Sequence, residues 1–318
     1  MTPTLRQLEY IVALAETGQF VEAARKCAVS QPALSKQVKE VEQMLEVELF
    51  ERARPKVLVT PAGEEIVRRA RRILADAQEL VDVASIFAGD PRGTLKLGVI
   101  PTIAPYGLPG LLVRLRRLFA DVSFAIEELQ TEVLVEKLRA GDVDLGLLAR
   151  PFDEKGLKGP DLVEEPFVLV APTDHPLSAP GSVQPKEVEG ASLILMEDGH
   201  CLRDQAVEVC AAAGTPPATS VTAASVTTLV RMVESGLGAT LLPASALGAE
   251  VRDGQGVVAR SFGESPPGRT LTLQWRASSP NAAWFTEIGE VLRRHYLELN
   301  DEIPEVAGPT PRIRAVDA

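Results

Sequence analysis

The sequence predicts an α/β chain in two parts. The first is an N-terminal winged helix-turn-helix with a long linker helix, and the second is a two-lobed α/β domain. Three observations carry this prediction. Helical periodicity with a tight turn fills the first 45 residues, a heptad pattern follows, and from Thr94 short apolar strands alternate with helices.

Leu5, Leu8, Ile11, Val12 and Ala15 recur at helical spacing, and Gly18 suits a left-handed helix end. Phe20 to Cys27 forms a second short helix, in which Ala23-Ala24 permits a close neighbour. Ser30 is placed as an N-cap, with Gln31-Pro32 in the next helix's first turn. Leu34, Val38, Val41 and Leu45 make the buried stripe of that helix, which runs from Gln31 to about Met44. Its other face carries Gln31, Ser35, Lys36 and Lys39, groups suited to base edges and phosphates. A basic turn with Arg52, Arg54 and Lys56 between short apolar runs has the pattern of a β-wing that can reach a phosphate backbone.

Thr60-Pro61 starts the long helix. Ile66, Ala70, Ile73, Ala77, Leu80, Ala84 and Phe87 step by four and three, a seam suited to a two-helix coiled coil between subunits. A symmetric dimer would present two recognition helices to a two-fold DNA site.

Gly89 to Gly93 reads as a hinge. Strands at Leu95–Ile100, Ser123–Leu129 and Asp144–Leu148, with helices at Leu108–Phe119 and Glu132–Ala140 between them, imply a parallel sheet. A second set of elements occupies Glu165 to Leu242. A strand at Arg269–Gln274 and a helix at Ala282–Leu297 then return to the first lobe. The expected boundaries are 1–60 for the winged domain, 61–91 for the linker and 92–300 for the two-lobed domain. Within the last, lobe I is about 92–163 with 269–300, and lobe II is about 164–268. Residues 301–318, proline-rich and without periodicity, read as a disordered tail. Ligands in such sheets bind beyond the carboxyl ends of strands. That singles out Thr102 and Thr131, each of which could equally be a cap or turn residue.

Composition limits the function. No apolar run approaches a membrane span and there is no secretory signal, so no membrane partner is expected and the cytoplasm is. The net charge of −11 argues against nucleic acid, yet Arg25 to Lys56 holds seven Lys/Arg against five Asp/Glu. Any case for DNA therefore rests on pattern.

The chain has three cysteines, Cys27, Cys201 and Cys210. On one ideal helix, Cys201 and Cys210 would stand about 13 Å apart along the axis, whereas a disulfide needs Cα atoms within about 7 Å. They are either small core hydrophobes or a device that couples oxidation to refolding. His200, Arg203 and a helix start favour a thiolate at Cys201. Cys210 has apolar neighbours. His200, Cys201 and Cys210 lack zinc spacing and a fourth ligand, so no metal is expected.

Several motifs carry a family resemblance. Phe20-x-x-Ala23-Ala24, Val29 to Ser35, Val41-Glu42, Leu49 to Arg52 and Leu58-x-Thr60-Pro61-Ala62-Gly63 resemble the DNA-binding domain of LysR-type transcriptional regulators. Val233 to Pro243 resembles the second-lobe signature of their periplasmic-binding-protein-like effector domain. The stretch Leu195 to Ala206, with Cys210 after it, resembles the peroxide-sensing members of that family. So do Leu8 to Glu16, Ile100 to Tyr106, Gln130-Thr131 and Arg269-Thr270.

The resemblance implies a non-enzymatic activator of oxidative-stress genes that binds double-stranded DNA and needs no cofactor. Cys201 would be the peroxidatic cysteine for hydrogen peroxide and Cys210 the resolving one, joined in a reversible disulfide. Thr102, Thr131, His200, Arg203, Asp204 and Arg269 would line or support the peroxide pocket. The implied partners are a second copy of the chain (a dimer, paired into a homotetramer), RNA polymerase, and a thioredoxin- or glutaredoxin-type reductant. The small residues Ala211 to Ala213 depart from the bulkier ones in relatives. Cys27 reads as structural. The competing expectation is a regulator whose lobe cleft takes an organic effector, with the cysteines incidental.

Overall fold

The computed structural model describes residues 2–51, 57–87, 93–188, 192–212, 214, 221–252, 254–263 and 265–316; of 78–79, 81–87, 185 and 212 it describes the backbone alone. The chain divides into two units, Met1–Arg92 with Lys137–Val143, and Gly93–Glu136 with Asp144–Ala318.

The first unit begins with α1 (Leu5–Thr17). Thr4 and Gln7 form a reciprocal capping box at its start, and Gly18 ends it at φ 63°. α2 (Phe20–Lys26) follows, then α3 (Gln31–Leu45) with the Ser30 hydroxyl accepting from the Ala33 N–H. Leu8, Ile11, Leu14, Ala23, Ala24, Leu34, Val38 and Val41 close one aliphatic core. β1 (Phe50–Glu51) and β2 (Leu58–Val59) pair antiparallel as the wing. The Glu42 carboxylate accepts from the N–H groups of Leu49 and Phe50, which ties the recognition helix to the wing. The Arg52, Arg54 and Lys56 assignments lie outside the described residues.

α4 (Pro61–Phe87) starts where expected, and the Thr60 hydroxyl accepts from the Gly63 N–H. Gly63 packs so closely that a Cβ there would meet the Leu49 carbonyl oxygen at 2.2 Å, a physical reason for glycine at this point. One expectation is corrected here. Ala70 is buried in this unit's own core with Val67, and Ile66 packs half-buried against it. The first turns of the heptad face are thus used within the chain and are not free for a partner helix. Ile73 and Leu80 remain exposed, and Ala77 is half-buried. The Ala84 side chain is outside the described residues.

In the second unit, β3 (Gly93–Val99) runs parallel to β4 (Val122–Glu128) and to β5 (Leu145–Ala149). The crossovers are α5 (Ala104–Leu118) and α6 (Thr131–Ala140). α5 starts earlier than its apolar spacing suggests, because Pro105 falls in the first turn, where a missing N–H costs nothing. After β6 (Leu157–Lys158) comes β7 (Asp161–Pro172), the strand common to both lobes. Lobe II adds β8 (Leu195–Met196), α7 (Cys201–Ala212), β9 (Thr222–Ala223), α8 (Val226–Glu234), β10 (Thr240–Pro243), the short α9 (Leu247–Glu250) and β11 (Val257–Ser261). β12 (Gly268–Arg276) and α10 (Ala282–Glu298) return to lobe I.

β12 pairs antiparallel with β5 and with the first half of β7, while β10 and β11 pair antiparallel with its second half. The sheet is therefore mixed, parallel only where βαβ units build it. β11 escapes notice in the sequence because Arg260 interrupts its apolar run. The Arg260 guanidinium is buried and donates to the carbonyls of Leu177, Gly181 and Ser182.

The disordered-tail expectation is also corrected. Ala307 bridges to Arg260 on β11, and β13 (Arg314–Ala315) pairs with Val163 and Glu164 of β7. Asn300 exchanges hydrogen bonds with the backbone of Ile313, whose side chain is 2% exposed. An unpaired stretch of β7 edge explains why an aperiodic segment is ordered. Ile313→Ala should cost about 2 kcal/mol, measured as a lower urea midpoint, and should open the tail to limited proteolysis. An unchanged midpoint with a resistant tail would contradict this packing.

Candidate functional site

α7 begins at Cys201 and holds both Cys201 and Cys210 in one unbroken helix. Both thiols are free and buried. Cys201 takes the first helical position, where backbone N–H groups are unpaired and the helix dipole is positive. Cys210 lies three quarters of the way along, in an aliphatic cluster with Leu169, Val188, Leu193, Leu195 and Phe262. That burial raises its thiol pKa and keeps it protonated. One helix with its cysteines nine positions apart holds the thiols about 13 Å apart along the axis, so they cannot bond while α7 stands.

The loop before Cys201 is shaped by Gly199 at φ 89°, where a Cβ would lie 2.8 Å from Oε1 of Gln130. His200 is buried, and its Nε2 lies 3.5 Å from Nε2 of Gln130. Burial lowers the His200 pKa, outweighing the nearby carboxylates of Glu197 and Glu128. Burial thus disfavours protonation of the His200 ring. His200 Nδ1 has no partner among the described residues.

Gln130 occupies the cap position of α6, where its carbonyl accepts from the Leu134 N–H. Thr131 is the first residue inside the helix, so its hydroxyl is not the cap. That hydroxyl is buried and has no partner among the described residues.

Thr102 is 1% exposed at the end of β3. Arg269, on β12, donates from Nη1 to its hydroxyl at 2.7 Å and from Nη2 to its carbonyl at 3.1 Å. Arg269 Nε in turn meets Glu165 of β7 at 2.8 Å, and both side chains of that pair are fully buried. Tyr106 of α5 donates to Glu250 of lobe II, which Thr227 also meets.

The expected pocket residues therefore fall into groups. Thr102 and Arg269 are in direct contact, and His200 touches the residue preceding Thr131. Arg203 faces elsewhere: it pairs with Asp198 at 2.9 Å and donates to the Met196 carbonyl, which braces the loop before Cys201. Asp204 is exposed in the first turn of α7, where an acidic group suits the helix dipole. Gln130 and Glu165 are additions. Gln130 adjoins a marked threonine, but Glu165, beside Glu164 on β7, offers no signal that sets it apart.

On α3, Gln31, Pro32, Lys36 and Lys39 are exposed and Ser35 is half-buried, on the side away from Leu34, Val38 and Val41. Among the described residues, no helix is long and apolar enough to cross a membrane.

Residues 5–64 match the family model "Bacterial regulatory helix-turn-helix protein, lysR family", and residues 88–296 match "LysR substrate binding domain". The chain belongs to the LysR family. It is a family of DNA-binding transcriptional regulators, not of enzymes. A probable hydrogen peroxide-inducible genes activator from Streptomyces viridosporus is 39% identical over 93% of this chain and 96% of the relative. The HTH-type transcriptional regulator EstR of Acinetobacter baylyi is also 39% identical, over 92% of this chain and 97% of its own. Among solved structures, full-length OxyR from Pseudomonas aeruginosa matches with a TM-score of 0.78 at 38% identity, covering 92% of this chain and 95% of that one. The LysR fold expected from the sequence is thus the fold observed.

His200 and His295 both have pKa values lowered chiefly by burial. Burial disfavours protonation of these rings in the folded protein, while the unfolded chain takes up protons below about pH 6.5. Their contribution to stability is therefore unaffected above that value and is lost as pH falls through it. Urea midpoints should decline from about pH 7 to about pH 5.5, and His200→Gln should flatten part of the decline. An identical slope in the variant would remove His200 from this account.

Proposed function

We propose that this LysR-family protein senses hydrogen peroxide and switches transcription through a reversible Cys201–Cys210 disulfide. The observation that carries the reading is the placement of both thiols on α7, one at the positive helix start beside buried polar atoms and the other sealed among aliphatic side chains. The likeness to a peroxide-inducible activator and to OxyR supports the same reading.

The chemistry runs in two steps. The Cys201 thiolate attacks one peroxide oxygen; an S–O bond forms and the O–O bond breaks. The other oxygen leaves as hydroxide and takes a proton to become water. Cys201 is then a sulfenic acid. The Cys210 sulfur attacks Cys201, an S–S bond replaces the S–O bond, and the released hydroxide leaves as water with the Cys210 proton. Because α7 keeps the sulfurs apart, the second step requires residues around 201–214 to unwind. The repacked segment alters contacts between effector domains and so the spacing of paired recognition helices on DNA. A dithiol of the thioredoxin or glutaredoxin type restores both thiols and becomes a disulfide itself. The paired recognition helices come from a dimer seamed through Ile73 and Leu80. Two such dimers form the tetramer, and RNA polymerase is the partner at the promoter.

On α3, Lys39 is read as a phosphate contact. Lys39→Ala should weaken DNA binding on all sequences alike and reduce the slope of affinity against salt by about one. A sequence-selective loss would assign Lys39 to base readout instead.

After one equivalent of peroxide, peptide mass spectrometry should find Cys201 linked to Cys210. Cys201→Ser should abolish the link and the transcriptional response, while Cys210→Ser should accumulate the sulfenic acid. A peroxide response that survives Cys201→Ser would end the proposal. The equal likeness to EstR, whose name carries no mention of peroxide, supports a second reading in which an organic effector occupies the lobe cleft. Effector-dependent DNA binding in the Cys201→Ser, Cys210→Ser double variant would select it.

A further inference from the structure

We infer that Glu165 is a positioning residue for the peroxide step, acting through Arg269 to hold the Thr102 hydroxyl as a donor to the departing oxygen. The inference rests on the peroxide reading above and assigns a function to a carboxylate that the reading leaves unused.

Glu165 lies at the point where β7 passes from pairing with β12 to pairing with β10 and β11. Its side chain is fully buried, where an uncompensated carboxylate would be costly. Both oxygens are committed. Oε1 accepts from the Ser245 backbone N–H in lobe II, and Oε2 accepts from Arg269 Nε on β12. The carboxylate thus pins one edge of the Arg269 guanidinium. The planar fork leaves little freedom at the opposite edge, where Nη1 and Nη2 both reach Thr102.

The consequence at Thr102 follows from donor counting. A threonine hydroxyl has one hydrogen to donate and two lone pairs. Arg269 is a donor only, so it occupies a lone pair. The hydroxyl hydrogen is left uncommitted among the described residues, and the hydroxyl is 1% exposed. A buried hydroxyl polarised by a guanidinium, with its hydrogen unspent, is suited to an oxygen that gains negative charge as the O–O bond breaks. Removing the pin lets the guanidinium tilt, and Thr102 can then turn its hydrogen elsewhere.

The test compares two reactions of Cys201 in the full-length protein. Hydrogen peroxide needs the departing oxygen stabilised; iodoacetamide needs only an accessible thiolate. Glu165→Gln keeps the shape and one accepting oxygen but removes the charge. It should slow sulfenic acid formation by about 10- to 100-fold, the loss that small misplacements produce, and leave iodoacetamide alkylation unchanged. In a Thr102→Val background, Glu165→Gln should add nothing further. Should Glu165→Gln fail to fold, Glu165→Asp, which withdraws the carboxylate by one methylene, carries the same comparison. A wild-type peroxide rate, an equal loss in both reactions, or additivity with Thr102→Val would each overturn the positioning role. If the unsubstituted protein does not form the sulfenic acid at all, the peroxide reading fails and the inference with it. If it does form and the variants leave the rate unchanged, only the Glu165 assignment falls.

Discussion

The constraint on which the rest depends is the continuity of α7. An α-helix rises about 1.5 Å per residue, and the nine steps between its two cysteines hold the thiols beyond the reach of a disulfide. Cys210 shares its cluster with side chains of β7, β8 and β10. Unwinding α7 therefore disturbs the body of lobe II. Exposing several such side chains costs on the order of a few kcal/mol.

The lobes meet at strands that belong to both. β7 carries lobe I partners along its first half and lobe II partners along its second, and the Glu165–Arg269 pair sits at the change-over. A buried ion pair is a poor source of stability, because desolvation offsets most of the attraction. Its worth here is geometric, since Ser245, Glu165, Arg269 and Thr102 form one chain of directed hydrogen bonds from lobe II to the end of β3. Pairing of β13 with β7 extends the shared strand's partners to the C-terminal segment.

Much of the winged domain was legible beforehand because its signals are local. Ser30, Gly18 and Pro61 act on their own helix ends, and the apolar stripes need only a nearby surface. The same locality misled where distant partners decide. Ala70 fits a heptad seam by spacing, yet α1 and its neighbours cover it. The tail has no periodicity, yet an open strand edge orders it. Arg260 hides β11 because a buried guanidinium satisfied by three carbonyls looks, in one dimension, like a break in a strand.

The candidate site divides the same way. The residue types and order of His200, Cys201 and Cys210, the helix that carries them, and the threonines after the first two strands were all determined by the sequence alone, through short-range pattern and resemblance. The tertiary structure alone decided that burial lowers the His200 pKa, that Arg203 turns to Asp198, that Asp204 faces solvent, and that Glu165 stands behind Arg269. Those outcomes depend on burial and on contacts between residues up to 167 positions apart. Desolvation and hydrogen-bond geometry act through space, and no local spacing encodes them.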